Sequence, residues 1–161
     1  MPLQDNAVES LYREHRQRLF SCAMAITRRS DRAEDAIQEA FCRLVRTSVE
    51  PENLKAYIFR AVRNAAIDQN LRSRATTDAI PDFIFDSQPN PCETAESMEF
   101  RRQAAAALQN LSPDECETIV EHLYGSLSFR EIAEIRQAPL GTVTAWYRRG
   151  LEKLRSQLEA Q

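Results

Sequence analysis

Apolar residues recur at helical spacing through the first half of the chain and predict three helices. The first helix runs from Val8 to Arg28, and its buried stripe is Leu11, His15, Leu19, Cys22, Ala23 and Ile26. The second follows a capping box formed by Asp31 and Glu34, and its apolar face is Ala33, Ile37, Ala40, Phe41, Leu44 and Val45. After a break at 47–53, the third runs from about Leu54 to Arg74, with a core face of Leu54, Ile58, Ala61, Ala65 and Leu71.

The pattern changes at 76–100, where prolines interrupt any helix and acidic residues dominate. This stretch predicts a linker, with one apolar knot at 83–85. Helical spacing resumes near Ala95, a new helix starts at Ser112–Pro113, and Gly125 ends it. The apolar side of that helix is Ile119, Val120 and Leu123.

The last 34 residues predict a helix-turn-helix. Ser128 and Glu131 form a capping box that opens a short helix, and a turn follows at 137–141. Thr142 caps a final helix that runs to about Gln157. The core stripe of this helix is Val143, Tyr147, Leu151, Leu154 and Leu158. The alternative is an αα-hairpin that binds no ligand.

These elements predict an all-α protein of two small helical domains, residues 1–75 and 101–161, joined by an acidic flexible linker at 76–100. Only three glycines in 161 residues argue against a sandwich or barrel with many tight turns.

The formal net charge of −3 taken alone argues against a nucleic-acid partner, but the charge is unevenly spread. Residues 1–75 carry 13 basic and 10 acidic side chains, 76–100 carry six acids and no Lys or Arg, and 101–161 carry eight of each. Two windows, 55–74 and 142–155, are basic. Nucleic-acid binding therefore remains open for both domains.

Cysteine and histidine positions give no zinc spacing, so no metal site or cofactor is expected. Cys22 and Cys42 lie among apolar residues and are predicted to be reduced core thiols. His15 is interpreted as a packing residue rather than a ligand.

No nucleophile–base pair or phosphate loop is present, so an enzyme is not expected. No signal peptide or membrane-spanning run is found, which favours the cytoplasm.

The final helix carries candidate DNA contacts near its N-terminus and on its exposed side, as a recognition helix does. They are Thr142, Thr144, Ala145, Arg148, Arg149 and Lys153. Trp146 could pack on a sugar or a thymine methyl, or could shield the core beside Tyr147.

The third helix interleaves aromatic and basic residues, a pattern that suits unpaired bases. The residues are Tyr57, Phe59, Arg60, Arg63 and Asn64. The alternative is that both aromatic rings belong to the core and the arginines are solvated.

These motifs resemble, in their order and separation, a bacterial sigma factor of the extracytoplasmic-function type. Residues 32–41 resemble the part of region 2 that docks on the β′ clamp helices of RNA polymerase, and residues 56–68 resemble the segment that melts and reads the −10 element. Region 4, which reads the −35 element, is resembled by residues 108–111, 131–134 and 141–143, together with Arg149 and residues 154–155.

This resemblance implies roles for particular residues and partners. Asp35, Gln38 and Glu39 would contact core polymerase; Tyr57, Arg60, Arg63 and Asn64 would lie at the −10 element; the candidates on the final helix would lie at the −35 element. The implied partners are core RNA polymerase, through its β′ and β subunits, promoter DNA, and an anti-sigma factor as a further candidate. No membrane insertion is implied. Without the resemblance, the acidic helix face would be read as an ordinary solvated surface.

The two promoter elements would lie roughly 50 Å apart, at 34–36 Å per DNA turn. A 25-residue linker has a typical span of about 28 Å but reaches roughly 85 Å when extended, so it can join the two sites.

Four positions depart from the family pattern: Arg136–Gln137 replace the usual Leu-Gly of the turn, Trp146 replaces a basic residue, and Gly150 replaces Ala. They put −35 specificity in question.

The sequence therefore predicts a sigma factor that directs polymerase to promoters. The first alternative is a stand-alone helix-turn-helix regulator, and the second is a helical adaptor that uses no DNA.

Overall fold

The structure is a computed structural model that describes residues 5–47, 51–73, 92 and 94–160. The described residues form seven α-helices and no strand, which confirms the all-α prediction. The helices are α1 (Asp5–Thr27), α2 (Ser30–Arg46), α3 (Leu54–Ser73), α4 (Ala95–Gln109), α5 (Pro113–Leu123), α6 (Phe129–Arg136) and α7 (Leu140–Glu159). The apolar knot at 83–85 lies outside the described residues.

The first lobe, α1 to α3, is a bundle in which each helix packs on the other two. Leu19, Leu44 and Ile58 are fully buried at its centre. His15 is buried beside Phe59, with ring centroids 5.8 Å apart and the rings edge to face. The predicted stripe of α1 is confirmed from Leu11 to Ala23, and His15 is a packing residue as expected.

The predicted capping box at the start of α2 is wrong. Arg29 is the N-cap residue and makes no side-chain cap bond. Asp31 instead accepts hydrogen bonds from the Nε and Nη2 of Arg29, at 3.1 and 3.0 Å. Because only two residues separate α1 from α2, the helix has already begun at Ser30, and Asp31 lies within its first turn.

Three predicted core residues of the first lobe are exposed. Val45 is 48% exposed and Leu71 is 70% exposed. Each lies in the last turns of its helix, where no other described element covers it. Cys42 is also exposed, whereas Cys22 is buried. A helix turns about 100° per residue, so Cys42 points away from the core that its neighbour Phe41 enters.

The second lobe, α4 to α7, begins its short helices where the local signals predict. Ser112 and Glu115 form a capping box on α5, with Pro113 in its first turn. Ser128 and Glu131 form the capping box of α6. Both boxes satisfy backbone N–H groups that would otherwise lack partners. Since α4 begins at Ala95, the last residues of the predicted linker are helical.

The helix-turn-helix is formed by α6, the turn and α7. Gln137 adopts the left-handed conformation (φ 52°, ψ 47°) that the family pattern assigns to glycine. The N–H of Ala138 donates to the carbonyl of Ala133 and closes the turn. The turn thus keeps its shape without glycine, at a cost of about 1 kcal/mol for the side chain.

Two predictions on this lobe's helices need correction. Thr142 does not cap α7, because Pro139 is the N-cap residue and the N–H of Thr142 donates to its carbonyl from inside the first turn. Leu123 and Leu151, assigned to the core, are 52% and 37% exposed. The apolar repeat along each of these helices extends beyond the segment that neighbouring helices cover, so both leucines are exposed.

Gly150 allows α7 to lie against α5. A Cβ at this buried position would lie 2.5 Å from Cδ1 of Ile119 and 3.4 Å from Cβ of Glu115. Compared with alanine, the glycine destabilises the helix by up to about 1 kcal/mol. It also permits the close contact between α7 and α5.

We expect Gly150→Ala to lower the free energy of unfolding by about 1 kcal/mol, because overpacking of roughly 1–3 kcal/mol exceeds the gain in helix propensity. Ile119→Val removes the clashing methyl, so in urea denaturation the double variant should be more stable than the sum of the single effects predicts. Gly141→Ala is the control, since its Cβ would meet no atom within 4 Å. If the changes in free energy of unfolding of the two single variants simply add in the double variant, the close contact between positions 150 and 119 is contradicted.

The two lobes pack directly against each other. α5 lies on α1, and α6 lies on α3. Leu127, Ile132 and Val143 of the second lobe are fully or almost fully buried in the same apolar cluster as Ile58 and Phe59 of the first. The sequence contains no signal for this contact.

Candidate nucleic-acid and polymerase interfaces

The outer face of α2 brings together the three predicted polymerase-contact residues. Asp35 and Gln38 are exposed. Glu39 is partly buried and pairs with Arg43 at 2.6 Å, with Arg72 at 3.8 Å. The opposite face of α2 is buried against α1 and α3, which holds this polar face outward. The face presents carboxylate and amide acceptors suited to a basic partner surface.

The predicted −10 residues on α3 do not form one open surface. Asn64 is exposed, and Tyr57 packs partly buried against the apolar cluster. Phe59 is buried, which decides that this ring belongs to the core. Arg60 and Arg63 are only partly exposed and point towards the second lobe.

Arg60 and Arg63 each bind an acceptor on the second lobe. The Nη2 of Arg60 donates to the backbone carbonyl of Glu134 at 2.6 Å. The Nε of Arg63 donates to the carboxylate of Glu117. The arginines that the sequence assigns to DNA are therefore engaged inside the protein.

The predicted −35 residues lie along α7, in two groups. Thr142, Thr144, Ala145 and Arg148 lie in its first half, and Arg148 makes no hydrogen bond or ion pair with any described residue. The hydroxyl of Thr144 donates to the carbonyls of two preceding residues of its own helix, at 3.0 and 3.2 Å. This half of the helix presents one unengaged cation to a partner.

The second group, Arg149 and Lys153, faces the buried carboxylate of Glu115. The Nζ of Lys153 lies 2.9 Å from both carboxylate oxygens, and the Nε of Arg149 lies 3.8 Å from one. Burial acts to raise the pKa of Glu115, but hydrogen bonds from Lys153 and from the N–H of Ser112 bring that pKa below its ordinary value. Glu115 therefore stays charged and orients both cations.

A buried charge cluster, which sequence reasoning missed, surrounds Arg136. Its side chain is only 2% exposed and forms ion pairs with three acids of α5: Asp114, Glu117 at 3.5 Å, and Glu121 at 3.6 Å. Its Nη1 also contacts the hydroxyl of Thr118. Two glutamates four residues apart on an apolar helix were the available signal, because buried acids require a buried cation.

Trp146 belongs to this cluster. The guanidinium of Arg136 lies over its indole ring, 4.7 Å from the centroid. The ring is partly buried against the apolar cluster that joins the lobes. The packing interpretation of Trp146 is the one that the structure supports. Two of the four departures from the family pattern, Arg136 and Trp146, thus contact each other.

Glu121 is a member of the cluster whose ionised form is disfavoured by its surroundings. Burial, together with the neighbouring charge of Glu117, raises the pKa of Glu121 to about 8, against the opposing effects of Arg136 and Arg63. One of its carboxylate oxygens has no hydrogen-bond partner. On the α1 side the thiol of Cys22 lies close, and burial raises its pKa as well.

The raised pKa of Glu121 makes stability depend on pH. Since the unfolded value is near 4.5, unfolding releases a proton between that pH and about 8. The contribution of Glu121 to the free energy of unfolding is complete below pH 4.5 and is lost as the pH rises towards 8. We expect the free energy of unfolding, from urea titrations, to fall by about 1 kcal/mol or more over this range.

Glu121→Gln should flatten that pH profile and stabilise the protein at pH 8. Glu152→Gln, at an exposed position on α7, is the matched control and should leave the profile unchanged. An unchanged slope in the Glu121 variant would assign the pH dependence to other groups.

None of the described helices is both long enough and apolar enough to cross a membrane. Among the described residues, no three His, Cys, Asp or Glu side chains are grouped as a metal site would require.

Comparison with known families matches both halves of the chain. The Sigma-70 region 2 model matches residues 11–77, and the Sigma-70, region 4 model matches residues 101–154. The ECF RNA polymerase sigma factor EcfG of Rhodopseudomonas palustris is 30% identical over 142 residues, covering 84% of this chain and 76% of the relative. SigE of Mycolicibacterium smegmatis is 28% identical over 93% of this chain, which spans 61% of SigE's length.

Two solved structures share the fold. The sigma factor RpoE in complex with the anti-sigma factor NepR from Bartonella quintana superposes with a TM-score of 0.70 at 22% identity, covering 96% of this chain and 95% of RpoE. CnrH in complex with the cytosolic domain of CnrY gives a TM-score of 0.71 at 20% identity, covering 99% of this chain and 92% of CnrH.

Proposed function

Because this chain belongs to the sigma-70 family, as a sigma factor of the extracytoplasmic-function type, we propose that it binds core RNA polymerase and directs it to specific promoters. The observation that carries this proposal is the presence of region 2 and region 4 together, in this order, in one chain. The role is one of binding, exerted in the cytoplasm, where polymerase acts.

The polymerase contact is assigned to the outer face of α2. Asp35 and Gln38 are exposed and contribute nothing visible to the core, so their polar character is available to a partner. Glu39 lies on the same face of α2, where it pairs with Arg43. A basic surface on the β′ subunit would complement it, with the β subunit as a further contact of the assembled complex.

The promoter contacts are assigned to α3 and α7. On α7, Arg148 and the neighbouring threonines would approach the −35 element in the major groove, while Arg149 and Lys153 would hold phosphates. On α3, the −10 element would be contacted by Tyr57, Arg60, Arg63 and Asn64. The two arginines must exchange their present partners for DNA.

A regulatory partner is a further part of the proposal. RpoE was solved with the anti-sigma factor NepR, and CnrH with the cytosolic domain of CnrY. We extend the expectation of an anti-sigma partner to this chain on the strength of the shared fold and the family.

Transcription by the purified protein mixed with core polymerase and a promoter library tests the function. A sigma factor yields transcripts from a specific subset of promoters. The stand-alone regulator, which the region 2 match does not favour, would bind duplex DNA without polymerase and with strong salt dependence. A helical adaptor would do neither. Either of the last two results would overturn the proposal.

A further inference from the structure

The buried carboxylate of Glu115, on α5, lies beneath two cations of the candidate recognition helix α7. Both of its oxygens lie 2.9 Å from the Nζ of Lys153, and one lies 3.8 Å from the Nε of Arg149. Arg149 and Lys153 are four residues apart, so they project from the same face of the helix. One fixed anion therefore attracts the charged ends of two neighbouring side chains of α7.

Glu115 itself is held in place by its own helix. Its carboxylate accepts a hydrogen bond from the backbone N–H of Ser112 at 3.1 Å, and the hydroxyl of Ser112 accepts one from the N–H of Glu115 at 3.3 Å. Gly150 allows α7 to lie close, since a Cβ at that position would lie 3.4 Å from the Cβ of Glu115. The carboxylate is thus a rigid anchor that orders the longer side chains of Lys153 and Arg149.

Both cations keep an outer side that faces solvent. The side chains of Arg149 and Lys153 are 53% and 49% exposed. An ammonium group carries three N–H donors and a guanidinium carries five, so donors remain beyond those directed at Glu115. Beside them lies an open depression of about 420 Å³, lined by Arg149, Glu152, Lys153, Ser156 and Gln157. This lining holds one acid and otherwise offers charged and neutral donors to an anion.

Arg148, beside Arg149 on α7, shows the contrasting arrangement. It is exposed and makes no hydrogen bond or ion pair with any described residue. A long side chain that is free in solution loses rotamer freedom when it binds, and this loss weakens binding. Lys153 has already lost part of that freedom in the folded protein, because Glu115 holds its Nζ. Since one carboxylate faces two cations, the group also keeps an excess of positive charge.

We propose that Glu115 is a positioning residue for promoter DNA: it holds Lys153, together with Arg149, in the place where these cations bind a backbone phosphate flanking the −35 element. This proposal rests on the proposed function and deepens it, because it assigns a part in DNA binding to a buried residue that does not touch DNA. A carboxylate that mainly neutralised the two cations would have the opposite effect, and its removal would strengthen DNA binding.

The salt dependence of promoter binding distinguishes positioning from a loss of charge and from a loss of stability. Holoenzyme formed with core polymerase is titrated onto a fluorescent promoter duplex that the wild type transcribes, and anisotropy gives the affinity at several KCl concentrations. Each phosphate contact contributes about 0.9 to the slope of log affinity against log salt. A variant that is only less stable contains less active protein but keeps the wild-type slope.

We expect Glu115→Gln to weaken promoter binding about five-fold and to reduce the magnitude of the slope by about 0.9, as Lys153→Gln does by removing the phosphate contact itself. In the double variant the two losses should not add, since Glu115 acts through Lys153. Ser112→Ala is the matched control, because it removes the other half of the capping box but leaves Lys153 on Glu115. It should keep the wild-type affinity and slope.

Tighter binding or a wild-type slope in Glu115→Gln would overturn the proposal, and so would additive losses in the double variant. Glu115→Asp covers the case in which Glu115→Gln does not fold. It keeps the charge but withdraws it from Lys153, and we expect it to reduce the slope as well. Wild-type binding by the aspartate variant would show that the position of the carboxylate does not matter.

Absence of transcripts from the wild-type holoenzyme would instead overturn the proposed function. The role of Glu115 is then decided with the free protein on a duplex of mixed sequence, because phosphate contacts do not depend on the base sequence. The same variants are compared by the same slope. A wild-type protein that binds no duplex at low salt would overturn the proposal for Glu115 as well.

Discussion

Replacing Asp35 with Arg and Gln38 with Ala is expected to weaken binding of core RNA polymerase at least thirty-fold and to abolish promoter-specific transcription. Reversal of one charge at a desolvated protein interface leaves the opposing charge unpaired, which costs about 2–5 kcal/mol. Both side chains are exposed on α2 and lie outside the core. The variant should therefore fold normally, and fluorescence anisotropy with labelled protein would measure the lost affinity.

The control for this face is Glu9→Arg, which makes the same charge change on α1. Glu9 is exposed and, among the described residues, pairs only with Arg13 one turn away, an interaction worth about 0.3–0.5 kcal/mol. This variant should bind polymerase like the wild type. Undiminished binding by the α2 variant would show that the polymerase contact lies elsewhere on the protein.

Arg136→Ala is expected to lower the free energy of unfolding by about 3–5 kcal/mol, the cost of removing one partner from a buried ion cluster. Arg136 is the cation that Asp114, Glu117 and Glu121 share. Its loss leaves acids buried without their main counter-charge and removes the cation that stacks on Trp146. Urea denaturation at pH 7 would measure the change.

Two further variants show whether the charge is the cause. Arg155→Ala removes an exposed arginine that pairs with Glu159 on its own helix, and it should cost less than about 0.5 kcal/mol. At pH 9, Glu121→Gln should recover more stability in the Arg136→Ala background than in the wild-type protein, because without Arg136 the buried carboxyl group must either ionise with less compensation or take up a proton on folding. Equal losses in the two arginine variants would mean that the buried acids do not depend on Arg136.

Local signals in the sequence predicted most helix boundaries, because a helix end is determined by a few adjacent residues. The serine capping boxes of α5 and α6 were predicted correctly. Asp31 and Thr142 were misassigned as caps because the short connections start α2 and α7 before those residues. The sequence alone does not reveal that an earlier residue already occupies the N-cap position of the helix.

Periodicity predicted the buried stripes well at the middle of each helix and less well at the ends. Leu19 and Ile58 are buried as expected, whereas Leu71 and Leu123 are exposed. A period of 3.6 residues identifies the apolar face of a helix, but the length of that face that a neighbour covers depends on where the helices cross.

The sequence by itself thus determined the all-α class, the helix-turn-helix, the acidic face of α2 and the family. Each of these depends on residues that lie near one another in the chain. Only the tertiary structure decided that the basic residues of α3 face the acids of the second lobe. The Arg63–Glu117 contact joins residues 54 apart, and Arg60 meets Glu134 across 74. Contacts at such separations follow no local pattern, because they arise when preformed helices find the packing that buries their remaining apolar surface and pairs their charges.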